Sequence, residues 1–397
     1  MKKILILGAG VYQVPLIQKA KDLGLYTIVV SLDGNYPGFA IADRVYYVNT
    51  TDKNAVLKIA KEEGVSGICT TGTDVAVITL GYVCERLGLS GLSYESAMLA
   101  TDKAKMKKAF LENNVNTARF KVCSSLEESL SAYELLRKPV MFKIVDKSGS
   151  RGIIKVENKD EIPSIYKEMM AITKKSYIIV EEYISGIEIG LDAFVQRGKI
   201  KLMIPHEKIV FNNGKAGVPL GHVLPYYGGY ELQNRIQREA KKVIDALHLD
   251  NCAVNMDLFV TNEGNVSIIE AGGRAGATGI PEVISYYTGT DYYEAILLNA
   301  LGISVDFHTE TDRAVASMLL YSKTTGVLKD VHYNQEANVS VTIDYKKGDY
   351  IHKFENGTHR IGQAILWDCD YNQLMSKLEE FQNSLTVEVN GEVQVEV

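Results

Sequence analysis

At 397 residues, with 46% hydrophobic and 23% charged side chains, the chain has the composition of a soluble globular protein of two or three domains. Its net charge of −6, with lysines and arginines scattered rather than blocked, excludes the electrostatic footprint of a nucleic-acid binder or of a protein held on an anionic membrane surface. Cys69, Cys84, Cys123, Cys252 and Cys369 form no zinc or redox spacing, no run approaches a membrane span, and Met1 leads straight into a strand without an export signal, so reduced thiols and a cytoplasmic location are expected.

Residues 3 to 95 alternate apolar strands with helical patterns: KILILGAG, a helix to Leu23, YTIVVS, a helix near Asp52 to Glu63, GICTTG, and a helix to Leu87. This alternation predicts a parallel α/β domain. Gly8-Ala9-Gly10 imitates a dinucleotide fingerprint, with Asp33 in the position of a ribose acceptor. Gln13 stands where the third glycine belongs, which argues against NAD. Thr73 and Asp74 follow the third strand, at the kind of edge where such sheets bind small molecules. Thr101 reads as the N-cap of a helix from DKAKMKKAF to Asn113-Asn114.

KPVMFKIVD, the polar loop DKSGSRG, a returning strand IIKVE, a helix to about Thr173 and the strand YIIVEEYI then predict an α+β unit with antiparallel pairs. Lys143 runs directly into this loop. Its glycines let backbone amides curl around anionic oxygens, with Lys147 or Arg151 adding charge, although an ordinary basic turn has the same composition. Two more strands, GIEIGLDAFVQ and KIKLMIPHEKIVF, precede a loop NNGKAGVPLGH and a helix from about Gln233 to Leu247. Glu188 and Asp192 share a strand face, as do His206 and Lys208. Each pair is either a site or a solvated face.

Met256 to Gly276 reads as strand, tight turn and strand. With Glu263 and Gly264 at the turn centre, Asp257 faces Glu270 and Phe259 faces Ile268. Two carboxylates placed roughly 5 Å apart repel unless something positive lies between them. Oxygen-only ligation suits Mg²⁺, with Mn²⁺ as the alternative ion, and the apolar pair beside the acids argues against a merely solvated face. Arg274, just past the strand, is placed to meet a transferring phosphoryl group. Helices start at Pro281 and near Tyr292, and the tail holds short strands and a helix near Asn372 to Leu385.

Lys103 opening a helix, Lys143 before a glycine loop, the strand VEEYISGIE, and then Asp257, Glu270 and Arg274 together resemble the ATP-grasp superfamily, over residues 1 to about 302. IIEAGGRAGATGIPEVI is most similar to carboxylate-amine ligases of the amino-acid ligase and carbamoyl-phosphate-synthase-like type. The resemblance implies an α/β and α+β multidomain protein. A Rossmann-like domain would occupy residues 1–100, an ATP-grasp domain 101–305 with its nucleotide-binding lobe at about 115–185, and a small C-terminal α+β lobe 306–397.

It further implies that Lys103 and Lys143 contact the α- and β-phosphates of ATP, and that Lys147, Ser148, Gly149, Ser150 and Gly152 fold over the triphosphate. Glu181, Glu182 and Ile184 would meet adenine, Glu188 the ribose, and Lys208 the γ-phosphate or an acyl phosphate. Asp257 and Glu270 would hold Mg²⁺. The family commonly has asparagine at position 272, where this chain has glycine, and Asn255 lies opposite, so either its amide oxygen or a water would take over as ligand. The implied reaction joins a small carboxylate and an amine, such as amino acids, through an acyl phosphate, releasing ADP and phosphate. Alternatives are activation of bicarbonate and an inactive ATP-binding regulator. No nucleic acid or membrane partner is expected, and a homodimer is the assembly to test.

Overall fold

The protein is described from a computed structural model covering residues 1–146, 152–211, 217–308 and 312–390. The chain opens with β1 (Lys3–Leu7), α1 (Val14–Asp22), β2 (Tyr26–Ser31), β3 (Arg44–Tyr47), α2 (Lys53–Glu63), β4 (Gly67–Cys69) and α3 (Val77–Leu87). The four strands form a parallel sheet in the order β3-β2-β1-β4. Ile4 to Leu7 and Ile28 to Val30 are fully buried, which is why both read as continuous rather than alternating apolar runs. In the first turn the Gln13 side chain accepts from the Gly10 amide at 2.9 Å and donates to the Thr71 carbonyl at 2.6 Å. It fills the loop so closely that a Cβ on Gly8 would lie 2.9 Å from it.

Next come α4 (Tyr94–Leu99) and α5 (Lys103–Glu112). The cap of α5 is Asp102, whose carboxylate accepts from the amides of Ala104 and Lys105, one residue later than expected. Thr101 instead donates back to Ala97 of the preceding helix. The elements β5 (Phe120–Cys123), α6 (Leu126–Leu135), β6 (Val140–Ile144), β7 (Ile153–Val156), α7 (Ile162–Ile172) and β8 (Ile178–Glu182) build an antiparallel sheet in the order β5-β8-β6-β7. Phe142, Ile144, Val180 and Met169 anchor its core.

The chain continues through β9 (Ile187–Gln196), β10 (Lys199–Phe211), β11 (Val218–Leu224), α8 (Gly229–Ala246), β12 (Cys252–Val260), β13 (Val266–Gly272), α9 (Ile280–Thr288) and α10 (Tyr292–Ala300). VPLGHVL is therefore a strand and not the expected loop. Its glycine permits close pairing with β14 (Ala314–Tyr321), since a Cβ on Gly221 would sit 1.9 Å from the Ser317 carbonyl oxygen. The rest is β15 (Gly326–His332), β16 (Val339–Ile343), β17 (Tyr350–Ile351), β18 (Arg360–Asp368), α11 (Tyr371–Ser384) and β19 (Thr386–Asn390).

Two compact units emerge. The first comprises Met1–Pro205, Tyr227–Ala275 and Tyr293–Asp306, and holds both sheets described above together with the antiparallel set β9-β12-β13. The second comprises His206–Tyr226, Gly276–Tyr292 and the chain from Phe307 onward. In it β11, β14, β18 and β16 pair antiparallel, and α11 packs Leu374, Leu378 and Phe381 against Leu320 and Leu366. No helix among the described residues is long and apolar enough to cross a membrane.

Candidate active site

The β12–β13 hairpin turns on Asn262 and Glu263, one residue earlier than expected. The Gly264 amide donates to the Thr261 carbonyl at 2.8 Å, the Thr261 amide to the Asn265 carbonyl at 2.9 Å, and Gly264 takes the left-handed conformation at φ +74°. Next to the turn Phe259 therefore pairs with Ser267 and Leu258 with Ile268, which corrects the predicted Phe259–Ile268 pair. A β-bulge after Asp257 then skips Ile269 and restores the expected pairing, Asp257 with Glu270 and Asn255 with Gly272. In a regular ladder Asp257 would have faced Ile269, with Glu270 on the opposite surface.

On the other side of β12, Asn255 pairs with Asp192, Asp257 with Gly190, and Phe259 with Glu188. Asp192 is completely buried and accepts from the Asn255 amide at 3.0 Å. The Asn255 oxygen in turn accepts from Arg274 Nη1 at 2.9 Å. Its amide is thus hydrogen-bonded at both ends, and Asn255 helps to hold Arg274 in place. The remaining guanidinium nitrogens form a bidentate pair with Asp74, Nε to Oδ1 at 2.8 Å and Nη2 to Oδ2 at 3.1 Å. Burial opposes the charge on Arg274, but Asp74, with Asp192 and Asp257, outweighs it and raises the guanidinium above its ordinary value. Gly272 finds its reason here. A Cβ there would lie 3.2 Å from Asp74 Oδ1 and 3.6 Å from Arg274 Cζ, in the space this pair uses.

Lysines face the carboxylates. Lys103 Nζ lies 2.7 Å from Glu270 Oε2, so an ammonium provides the positive charge that the opposed acids demand. The Lys103 ammonium holds the Glu270 carboxyl well below the usual range against the effect of burial. A second cluster centres on Glu181, which is paired through Oε1 with Lys143 and through Oε2 with Lys107 at 2.9 Å. Burial alone would raise Glu181, yet the two ammoniums bring it down to about 2. Burial pushes Lys107 below its ordinary value, Glu181 opposes that shift without cancelling it, and Lys143 adds a smaller like-charge repulsion. Lys107 was not among the expected residues. Its signal was available, because it stands four residues after Lys103 and shares that face of α5.

The conserved-domain pattern described as the ATP-grasp domain matches residues 136–282. The carbamoyl phosphate synthase large chain of Clostridium beijerinckii is 23% identical over 348 residues, covering 81% of this chain and 32% of the relative, so the chain spans about a third of that protein's length. Alanine–anticapsin ligase of Bacillus subtilis is 24% identical over 309 residues, covering 68% of this chain and 64% of the relative. The crystal structure of phosphoribosylglycinamide synthetase from Anaerococcus prevotii is 31% identical, superposes with a TM-score of 0.83, and covers 98% of this chain and all of the other. This chain belongs to the ATP-grasp superfamily.

The ATP-grasp core therefore brings together Lys103, Lys143, Glu181, Asp257, Glu270, Asn255 and Arg274 in the first unit. Glu182 is engaged in structure: its carboxylate accepts from the Arg137 amide at 3.0 Å and lies 3.4 Å from Arg119, while its own amide donates to the Arg119 carbonyl. Ile184 follows in the loop after β8, half-buried, and Glu188 is half-buried on β9 opposite Phe259. Lys147, Ser148, Gly149 and Ser150 lie outside the described residues. Gly152 has φ +70°, and its carbonyl accepts from Ile144 to close the β6–β7 hairpin. Lys208 belongs to the second unit, on β10 opposite His222. Its neighbour His206 is 1% exposed, so the solvated-face reading of that pair does not hold for the histidine.

Among the described residues no three His, Cys, Asp or Glu side chains gather as a metal cluster. Mg²⁺ is commonly bound by one or two carboxylates, several waters and the phosphates of a substrate. Asp257 and Glu270 form such a pair of oxygen donors, and the cation beside Glu270 marks where positive charge is required.

Proposed function

We propose that this ATP-grasp protein is an ADP-forming ligase that joins a carboxylate to an amine. The observation that carries the reading is the convergence of Lys103, Lys107 and Lys143 on Glu181 and Glu270, beside Asp257 and the Asp74-held Arg274. Lysines paired with carboxylates in this way can pass to phosphate oxygens when a polyphosphate enters. ATP is the substrate for which Lys103 and Lys143 exchange carboxylate partners for phosphate oxygens. Asp257 and Glu270 would hold Mg²⁺, which when bound neutralises charge on the phosphate oxygens.

In the first step the substrate carboxylate oxygen forms a bond to the γ-phosphorus while the bond from that phosphorus to the ADP oxygen breaks. Lys103 and Lys143 stabilise the departing diphosphate. In the second, the amine attacks the acyl carbon, phosphate leaves, and the amine nitrogen loses a proton to give the amide. Arg274 is oriented by Asp74 and Asn255 before any substrate arrives, so it meets developing negative charge without reorganisation. The likeness to an alanine–anticapsin ligase supports amino acids as the substrate class, and the likeness to carbamoyl phosphate synthase large chains supports bicarbonate as a second reading of the acid.

Phosphate release measured across amino-acid pairs, and separately with bicarbonate alone, tests both readings. With an acid carrying ¹⁸O in its carboxylate, one labelled oxygen is expected in the released phosphate. AMP and pyrophosphate as products would overturn the mechanism.

A further inference from the structure

We propose that Lys107 is a positioning residue that competes with Lys143 for Glu181 and so keeps the Lys143 ammonium available to a nucleotide phosphate. The inference rests on the nucleotide-binding reading above and gives Lys107 a role that reading leaves open. Glu181 is one carboxylate between two ammoniums, each taking a different oxygen. The triad therefore carries one positive charge beyond what its acid neutralises.

The two lysines are not equivalent. Lys107 is 5% exposed in its side chain and is tied on two sides, to Glu181 Oε2 at 2.9 Å and to Thr117 Oγ1 at 2.6 Å. Thr117 passes the link on by donating to the Ile268 carbonyl at 2.7 Å, which anchors Lys107 to the β12–β13 hairpin. Lys143, at 11% exposed, is the more open of the two and stands at the end of β6, where the chain enters the 147–151 segment. A phosphate reaching the triad thus meets Lys143, whereas Lys107 stays behind as the fixed partner of Glu181.

Without Lys107, both carboxylate oxygens of Glu181 are left to Lys143, and a phosphate must break a complete ion pair to reach that lysine. With it, Glu181 already has a partner when Lys143 turns to the ligand. The effect of Lys107 should therefore depend on Glu181. A lysine that simply contacts phosphate, or only adds to the field, would have an effect independent of it.

The test is a double-mutant cycle read by calorimetric titration of MgADP into the full chain. Lys107→Met should weaken binding at least about tenfold, the equivalent of one charge-assisted hydrogen bond. In a Glu181→Gln background the same change should cost clearly less, and Lys107→Arg should bind close to wild type. Equal losses in both backgrounds would overturn the proposal, as would a Lys107→Met protein that binds normally. If Lys107→Met does not fold, Lys107→Gln, which keeps a donor for Thr117 without the charge, carries the same comparison. A wild-type chain that binds no MgADP would overturn the functional reading itself, an outcome distinct from a missing coupling.

Discussion

Glu270 is paired with Lys103 in this structure and is the proposed Mg²⁺ ligand, and the pairing changes what its removal should do. From sequence, Glu270→Gln relieves repulsion with Asp257 and should leave stability unchanged or higher. In the structure it instead leaves Lys103 without its partner at 2.7 Å. We expect Glu270→Gln to lower unfolding free energy by about 1 kcal/mol, well under the cost of breaking a fully buried pair because Glu270 is partly open to solvent. Nucleotide-dependent turnover should fall with it. Chemical denaturation and phosphate release check the two effects separately, and a gain in stability would contradict the pairing. Gly272→Asn offers a second test at this scale. It supplies the amide common in the family, yet its Cβ enters the space of the Asp74–Arg274 pair, so activity should fall rather than the affinity for Mg²⁺ rise.

Glu181 makes the same point through pH. Its folded-state value, brought down to about 2 from an ordinary 4.5, means that its contribution to stability is fully present above the unfolded value and is lost as pH falls through the folded one. Glu181→Gln should therefore be less stable than wild type near neutrality, with the gap narrowing between about pH 5 and about pH 2. A gap that stays constant across that range would mean that the carboxylate is not paired as described.

At the level of elements, the hairpin separates what the turn controls from what the site needs. Gly264 sits at φ +74° with the Arg235 guanidinium donating to its carbonyl, so Gly264→Ala should cost about 1 kcal/mol in backbone strain. The bulge at Ile269 lies between the turn and the acids and sets their pairing locally. MgADP affinity should accordingly stay within about twofold of wild type, a prediction that titration and denaturation curves test together. Pairing of Asp257 with Glu270 was legible because both are fixed by counting along two strands. The bulge was not, since nothing in SIIEAG marks which residue the ladder will skip. The strand at VPLGHVL was hidden by Gly221, whose purpose depends on the carbonyl of Ser317, nearly a hundred positions away.

Across the whole molecule, the order of Lys103, Lys143, Asp257, Glu270 and Arg274 was readable because each sits in a short motif with its own local chemistry. The partners of those residues were harder to read. Lys107 looked like one more helix lysine until burial singled it out, and Asp74 is two hundred residues from the arginine it holds. We expect Asp74→Asn to reduce kcat by at least about tenfold while MgADP binding remains near wild type, because the change loosens an oriented guanidinium without touching the lysines. Equal kcat in the two proteins would show that Asn255 alone suffices.

The Asp74–Arg274 clamp also bears on how this protein can be taken apart. The loop after β4 supplies the carboxylate, the Gly72 amide donates to the Ala275 carbonyl at 3.3 Å, and Ser96 reaches the His248 carbonyl at 2.6 Å. A graft that moved residues from Lys103 onward behind the first domain of another protein would carry the arginine away from the side chain that aims it. On the proposed function, chimeras with relatives should work only where the donor domain offers an acid at the same loop, so that the N-terminal sheet is not an exchangeable cassette.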